Sequence, residues 1–85
     1  MIHIEHQNSA IDDVGIIFNW NISSNFDEKG ECIINFELPY SMNCDPMVKV
    51  EPQDKCLVFD ITHTNFKLKR KSKRVKEVKW IAIGY

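Results

Sequence analysis

The sequence predicts an all-β protein, a small antiparallel β-sandwich of about six strands. Three observations lead to this prediction. Apolar residues alternate with polar ones, turn residues separate the alternating stretches at intervals of roughly ten residues, and no stretch has a helical period of useful length. Short strands at that spacing are typical of antiparallel sandwiches and small barrels.

Two strands are predicted in the first half of the chain, at residues 14–22 and 31–38, and a polar turn that contains Gly30 separates them. Pro39 ends the second strand, because a strand interior cannot spare the N–H that proline lacks. In the first strand the alternation places four apolar side chains on one face: Ile16, Phe18, Trp20 and Ile22. This pattern predicts that Trp20 packs in the core rather than stacking on a ligand.

Three shorter strands follow at residues 46–52, 55–62 and 66–70. Turns at residues 53–54 and 63–65 separate them. Alternation predicts that four apolar side chains of these strands point inward: Val48, Val50, Phe66 and Leu68.

The last strand is predicted at residues 78–85 and is apolar on both faces beyond Lys79. Alternation divides its side chains into two sets, Val78, Trp80 and Ala82 on one face and Ile81, Ile83 and Tyr85 on the other. A strand that is apolar on both faces is normally covered above and below, so this strand completes a core or lies where subunits meet. We expect four of its residues at or near the subunit contacts: Trp80, Ile81, Ile83 and Tyr85.

The length of the chain predicts one small domain that depends on self-association. A domain of 85 residues buries only about two-thirds of the surface that its unfolded chain exposes, and such domains often gain stability from disulfides, metals or oligomerisation. The three cysteines, Cys32, Cys44 and Cys56, are an odd number without CxxC spacing, which disfavours a disulfide. We assign residues 14–85 to the domain and residues 1–13 to an N-terminal arm or linker.

The sequence contains no pattern that indicates catalysis or metal binding. It has no nucleophile elbow, no HExxH and no Gly-rich phosphate loop, and Asp12 and Asp13 are interpreted as a solvated approach to a strand. His3 and His6 lie three residues apart on a polar segment, and a metal site needs more ligands than such a pair supplies. We therefore expect a protein that is not an enzyme and binds no metal or cofactor.

No run of about 18 apolar residues is present to cross a membrane. Residues 1–6 also lack the basic and then apolar pattern of a signal peptide. We expect a soluble protein that is made in a reducing cytoplasm and does not insert into membranes.

The charges are distributed unevenly along the chain. Residues 1–66 contain three basic and eleven acidic residues, whereas residues 67–85 contain eight basic and one acidic residue. Three interpretations of the basic segment remain open. It is a solvated hairpin whose lysines protect a sheet edge, a surface that binds anions such as lipopolysaccharide phosphates, acidic sugars or teichoic acids, or a nucleic-acid contact. The last is disfavoured, because no exposed aromatic residues alternate with the charges to stack on bases.

Two groups of residues are the candidate ligand contacts. The connection at residues 63–65 offers polar groups beside a rigid sheet, a common arrangement at binding sites, and its members are His63, Thr64 and Asn65. The basic group surrounds the turn before the last strand, and its members are Lys69, Arg70, Lys71, Lys73 and Arg74.

Five motifs occur in the order found in a known family. The chain has Gly-Ile-Ile-Phe-Asn-Trp at residues 15–20, Ile-Asn-Phe-Glu-Leu-Pro-Tyr at residues 34–40 and Pro-Met-Val-Lys-Val at residues 46–50. It also has Thr-Asn-Phe-Lys-Leu at residues 64–68 and the terminal Trp-Ile-Ala-Ile-Gly-Tyr at residues 80–85, which is the most specific match. These motifs resemble the C-terminal domain found on many phage tail fibre proteins. The chain departs from that pattern in its basic residues 69–74 and in Asn65, where the family usually has glycine.

The resemblance implies a β-sandwich related to the H-type lectin fold, at the tip of a trimeric fibre that contacts the host surface. The expected partners are two further copies of the chain and host surface polysaccharide or lipopolysaccharide, and the expected location is the virion. An alternative is a free-standing small phage protein that assists fibre assembly or inhibits a host protein through its charged surface.

Overall fold

The computed structural model describes residues 8–85, and this part of the chain is all-β, as the sequence predicts. It contains seven strands and one short 3-10 helix, Gln53–Lys55. The strands are β1 (Asn8–Ile11), β2 (Ile17–Ser23), β3 (Glu31–Asn35), β4 (Met47–Glu51), β5 (Cys56–Phe59), β6 (Asn65–Arg70) and β7 (Val78–Gly84).

The strands form two antiparallel sheets that pack face to face as a small sandwich. One sheet has four strands in the order β1-β2-β7-β4, and the other has three in the order β3-β6-β5. The terminal strand β7 is central in its sheet, where it pairs with β2 on one side and β4 on the other. The last strand of the chain therefore holds the larger sheet together.

The first strand, β1, is an addition to the six that the sequence predicts. It lies within residues 1–13, the stretch assigned to an arm or linker, and it pairs with β2 along its whole length. Its sequence, Asn-Ser-Ala-Ile, has a single large apolar residue, Ile11, so alternation could not reveal it. Residues 1–7 lie outside the described part of the chain, and the interpretation of His3 and His6 lies there with them.

The core lies between the two sheets and is rich in aromatic rings. Phe66 and Leu68 on β6 are fully buried, as predicted from their alternation. The Phe66 and Trp80 rings meet edge to face with their centroids 5.3 Å apart, and the Phe36 and Tyr40 rings do so at 5.0 Å. Such edge-to-face pairs add to the stabilisation that burial of the rings supplies.

The faces of β2 are reversed relative to the expectation for Trp20. Asn19 is the inward residue and is 0% exposed, whereas Trp20 is 37% exposed and Ile22 is 50% exposed on the outer face. The prediction that Trp20 packs in the core is wrong. Alternation separates the two faces of a strand but does not show which of them is covered, and here the polar face is the inner one.

Asn19 tolerates full burial because its side chain is completely engaged. Its Nδ2 donates to the Leu38 carbonyl oxygen at 3.0 Å and to Tyr40 Oη at 3.1 Å. Its Oδ1 accepts from the Leu38 N–H at 3.1 Å, and Tyr40 Oη donates onward to the Ala82 carbonyl oxygen at 2.7 Å. These bonds fix the segment after β3 against the four-stranded sheet.

Only one face of β7 is covered by the described residues. Val78, Trp80 and Ala82 point into the core, where Trp80 is 3% exposed. Ile81 and Ile83 lie on the outer face and are half-buried. The Trp80 side chain fills the centre of the sandwich, so it leaves little surface for the subunit contact expected from the sequence.

Candidate functional site

The predicted ligand residues lie at opposite ends of β6, so they do not form one site. His63, Thr64 and Asn65 are at its beginning, and the basic turn follows its end at Arg70. Three residues of extended strand lie between Asn65 and Lys69, the nearest members of the two groups, and hold them about 14 Å apart. Each end must be considered separately.

The connection before β6 uses most of its polar groups to hold its own shape. Thr62 Oγ1 accepts from the Thr64 and Asn65 N–H groups at 3.2 and 3.0 Å. The carbonyl oxygens of His63 and Thr64 accept from the backbone N–H groups of Tyr40 and Phe36. This connection therefore has few groups left to bind a ligand.

The other end of β6 carries a concentration of positive charge, which we call the cationic pocket. It is a shallow cavity of about 220 Å³ between the turn that precedes β3 and the connection that follows β6. Five cationic side chains line it, Lys29, Lys69, Arg70, Lys71 and Lys73, together with Glu28, Gly30 and Ser72. Lys29 belongs to the earlier turn, and the sequence did not single it out.

Asp27 organises the first wall of the cationic pocket. Its carboxylate accepts from the N–H groups of Lys29 at 2.8 Å and Glu31 at 2.9 Å. These bonds, with the bond to Glu31 making the largest contribution and the Lys29 charge adding to it, hold the pKa of Asp27 below its usual value. Gly30 completes the turn with a φ of 79°, a left-handed conformation that glycine adopts without strain.

Arg70 has a structural role beneath the pocket. Its guanidinium lies over the Phe26 ring, 4.8 Å from the centroid, and its Nη1 donates to the Val75 carbonyl oxygen at 3.0 Å. Its Nε is buried without a hydrogen-bond partner among the described residues. Arg70 therefore stabilises the connection between β6 and β7 from its inner side. Its exposed neighbours Lys71 and Lys73 are better placed to contact a ligand.

The remaining cations differ in how strongly the protein holds them. Lys69 Nζ lies 3.7 Å from a Glu31 carboxylate oxygen, which offsets part of its charge. Lys71 Nζ donates to the Asp54 carbonyl oxygen at 3.3 Å, a contact that leaves its charge uncompensated. Lys73 and Arg74 are exposed. The turn itself is closed by the Val75 N–H, which donates to the Ser72 carbonyl oxygen at 3.1 Å.

The cationic pocket is chemically suited to binding a phosphate or a carboxylate. Lysine ammonium groups supply mobile point charges, and such charges bind anions without the fixed geometry that arginine imposes. Two turns meet here because β3 and β6 pair, so that the Arg70 N–H donates to the Gly30 carbonyl oxygen. Lys29 could have been predicted as a site residue only from the pairing of β3 with β6.

A second surface, which we call the outer apolar face, covers the solvent side of the four-stranded sheet. Strand register places six large apolar side chains on it: Phe18, Trp20, Ile22, Met47, Ile81 and Ile83. The same register places Lys49 opposite Ile81, and Lys79 and Glu51 at the edge near Ile22. Strand spacing and rise give the face an area of roughly 400 Å², a size at which apolar patches often mark contacts with other molecules. Tyr85, the last residue predicted at a subunit contact, is 67% exposed just beyond β7.

The described residues offer little for metal or thiol chemistry. Residues 8–85 contain no group of three or more His, Cys, Asp or Glu side chains that could hold a metal ion. Cys32, Cys44 and Cys56 are free thiols, and burial together with the Asp27 charge raises the pKa of Cys32 to about 11. A thiol with so high a pKa is a poor nucleophile near neutral pH.

The described part of the chain also contains no helix long and apolar enough to span a membrane. No protein-family profile, curated protein or solved structure matches the chain.

Proposed function

We propose that the chain is the receptor-binding tip domain of a phage or tailocin tail fibre, which trimerises and adheres without catalysis to carbohydrate or anionic groups of the host envelope. The observation that carries this proposal is the cationic pocket, in which lysines from two separate turns converge. Lipopolysaccharide phosphates, acidic sugars and teichoic acids all present the anionic groups that such a pocket attracts.

Two further features support the proposal. The outer apolar face provides a surface that self-association would cover, and a sandwich of this size gains stability from such burial. The terminal Trp-Ile-Ala-Ile-Gly-Tyr sequence resembles that of tail fibre tip domains, which implies the trimer and the H-type lectin relationship. In this arrangement Ile81 and Ile83 contact neighbouring subunits, and Tyr85 lies at the rim.

Trimerisation would make weak sites effective. Each pocket is shallow and exposed, so a single contact is weak. Three pockets on one rigid body raise the local concentration for the second and third contacts, and the combined affinity exceeds that of a single site.

Capture on surfaces coated with lipopolysaccharide or lipoteichoic acid, and on whole cells that bear each polymer, tests the proposal. The variant Lys71→Ser with Lys73→Ser removes two charges from the pocket. We expect it to lower capture at least about tenfold, because contacts to charged groups are each worth more than 1 kcal/mol. The matched control is Lys55→Ser with Lys76→Ser, which removes two exposed charges that do not line the pocket.

Equal capture by the two double variants would contradict the role of the pocket. Absence of capture by the unaltered protein on every surface would contradict the adhesin, and would favour the alternative of an assembly accessory or an inhibitor of a host protein.

A further inference from the structure

A larger cleft lies along the exposed edge of β3, from Cys32 to Asn35. Its volume is about 630 Å³, and it runs between the end of β2 with the residues that follow it and the edge of β3. We call this cleft the β3 groove. A neighbouring cleft of about 690 Å³ shares Ser24, Asn25, Cys32 and Ile33 with it, but that second cleft is also lined by the charged residues Asp27, Glu31 and Lys67. Cavities of this size accommodate small ligands.

The lining of the first cleft is neutral and rich in amides and hydroxyls. Five polar side chains line it, Asn21, Ser23, Ser24, Asn25 and Asn35. No charged side chain of the described residues joins them there. Ser23 Oγ accepts a hydrogen bond from Trp80 Nε1 at 3.1 Å, and Ile33, which is 59% exposed, provides an apolar contact. This composition suits an uncharged ligand with many hydroxyl groups and some apolar surface.

The edge of β3 adds backbone groups to the groove. The Gly30 carbonyl oxygen and the Phe36 N–H both bond to the β6 side. Because backbone groups alternate in direction along an antiparallel strand, Glu31, Ile33 and Asn35 direct theirs away from β6. The N–H and C=O groups of Ile33 and Asn35 therefore point along the groove.

The same edge is too short to accept an added peptide strand. The Glu31 N–H and carbonyl oxygen are already bonded to Asp27, through Oδ1 and the N–H respectively. The free outward groups of Ile33 and Asn35 span three residues of the edge, because only alternate residues bond to a given neighbour, whereas strands usually have about five or six residues. The capped edge thus favours a compact ligand over an extended polypeptide.

From these observations we propose that the β3 groove binds a neutral saccharide unit, with Asn25, Asn35 and the Ile33 backbone as its contacts. The proposal rests on the envelope-binding function proposed above. It assigns the neutral sugar and the anionic group of the envelope to two different places on the protein. The groove takes an uncharged sugar ring, and the cationic pocket, with which it shares no lining residue, takes an anionic group. Of His63, Thr64 and Asn65, where a sugar was expected from the sequence, Asn65 borders this groove, because it pairs with Asn35 and its Nδ2 donates to Asn35 Oδ1 at 3.4 Å.

Titration of the isotopically labelled full chain with methyl glycosides of neutral hexoses and of N-acetylhexosamines tests the proposal by NMR. We expect at least one glycoside to shift the amide signals of Ile33 and Asn35, with millimolar affinity. Asn35→Ala and Asn25→Ala should each weaken that binding by about tenfold, the value of one lost hydrogen bond. Asn43→Ala, a change at an exposed loop asparagine outside the groove, is the control and should bind as the unaltered chain does.

Asn25 is exposed and makes no hydrogen bond within the described residues, so Asn25→Ala should keep the fold, and the NMR spectrum of the variant checks this. Absence of a shift with every glycoside, or unchanged binding by Asn25→Ala, would overturn the assignment. So would a peptide of alternating threonine and valine that shifts these amides when the glycosides do not. Cell capture without any glycoside shift overturns the groove assignment alone, whereas glycoside shifts without capture support the groove and count against the adhesin.

Discussion

At the scale of single residues, the least expected feature is a fully buried asparagine in a sandwich core. Asn19 fills its position without cost because its amide bonds to both backbone groups of Leu38 and to Tyr40 Oη. Gly84 is constrained nearby, since a Cβ there would lie 2.9 Å from both Cys44 Sγ and Tyr40 Cδ1. A glycine is therefore needed at position 84, because the Tyr40 ring packs closely against it.

Replacing Asn19 should destabilise the fold strongly. Asn19→Ala leaves the half-buried N–H and C=O groups of Leu38 without their Asn19 partners and opens a space at a fully buried position, and we expect the free energy of unfolding to fall by about 3 kcal/mol. Urea unfolding followed by tryptophan fluorescence measures the change. Asn43→Ala, on an exposed loop, should stay within about 0.5 kcal/mol of the unaltered chain. A similar value for both variants would show that the Asn19 bonds contribute little.

At the scale of elements, alternation located most strands, but it did not show how they pair. The inward residues of β4 and β6 follow the predicted alternation because most of their outer positions, all but Met47, are polar. The faces of β2 could not be assigned, since its apolar side is the exposed one, and β1 was missed because it carries one large apolar residue. The candidate site depends on the β3–β6 pairing, a long-range contact that local patterns do not encode.

The turn that precedes β3 should weaken in acid. The pKa of Asp27 is lower in the folded chain than in the unfolded one, so its stabilising effect is present above the unfolded value, near 3.9, and is lost as the pH falls through the folded value. We expect Asp27→Asn to be less stable than the unaltered chain at about pH 7, and the difference to shrink towards about pH 3.

Urea unfolding at both pH values measures the effect, with Asp45→Asn in an exposed loop as the control. A difference for Asp27→Asn that stays constant with pH would show that its carboxylate does not stabilise the turn through charge.

At the scale of the whole molecule, the sandwich has an unusual distribution of apolar surface. One side of the four-stranded sheet contributes Trp80 and Val78 to the core, and the other side presents Trp20 and Ile81 to solvent. The sequence predicted a terminal strand that is apolar on both faces, and that pattern holds. The described residues provide no second layer over its outer face, which is why we propose self-association.

The mass of the protein in solution, measured by sedimentation equilibrium, tests this account most directly. We expect the unaltered chain to have three times the 10.0 kDa mass of one chain. Ile81→Lys, which places a charge in the middle of the outer apolar face, should be a folded monomer. Leu57→Lys, the same change at an exposed residue of the other sheet, should remain trimeric. A monomeric unaltered chain, or a trimer that persists in Ile81→Lys, would contradict the account.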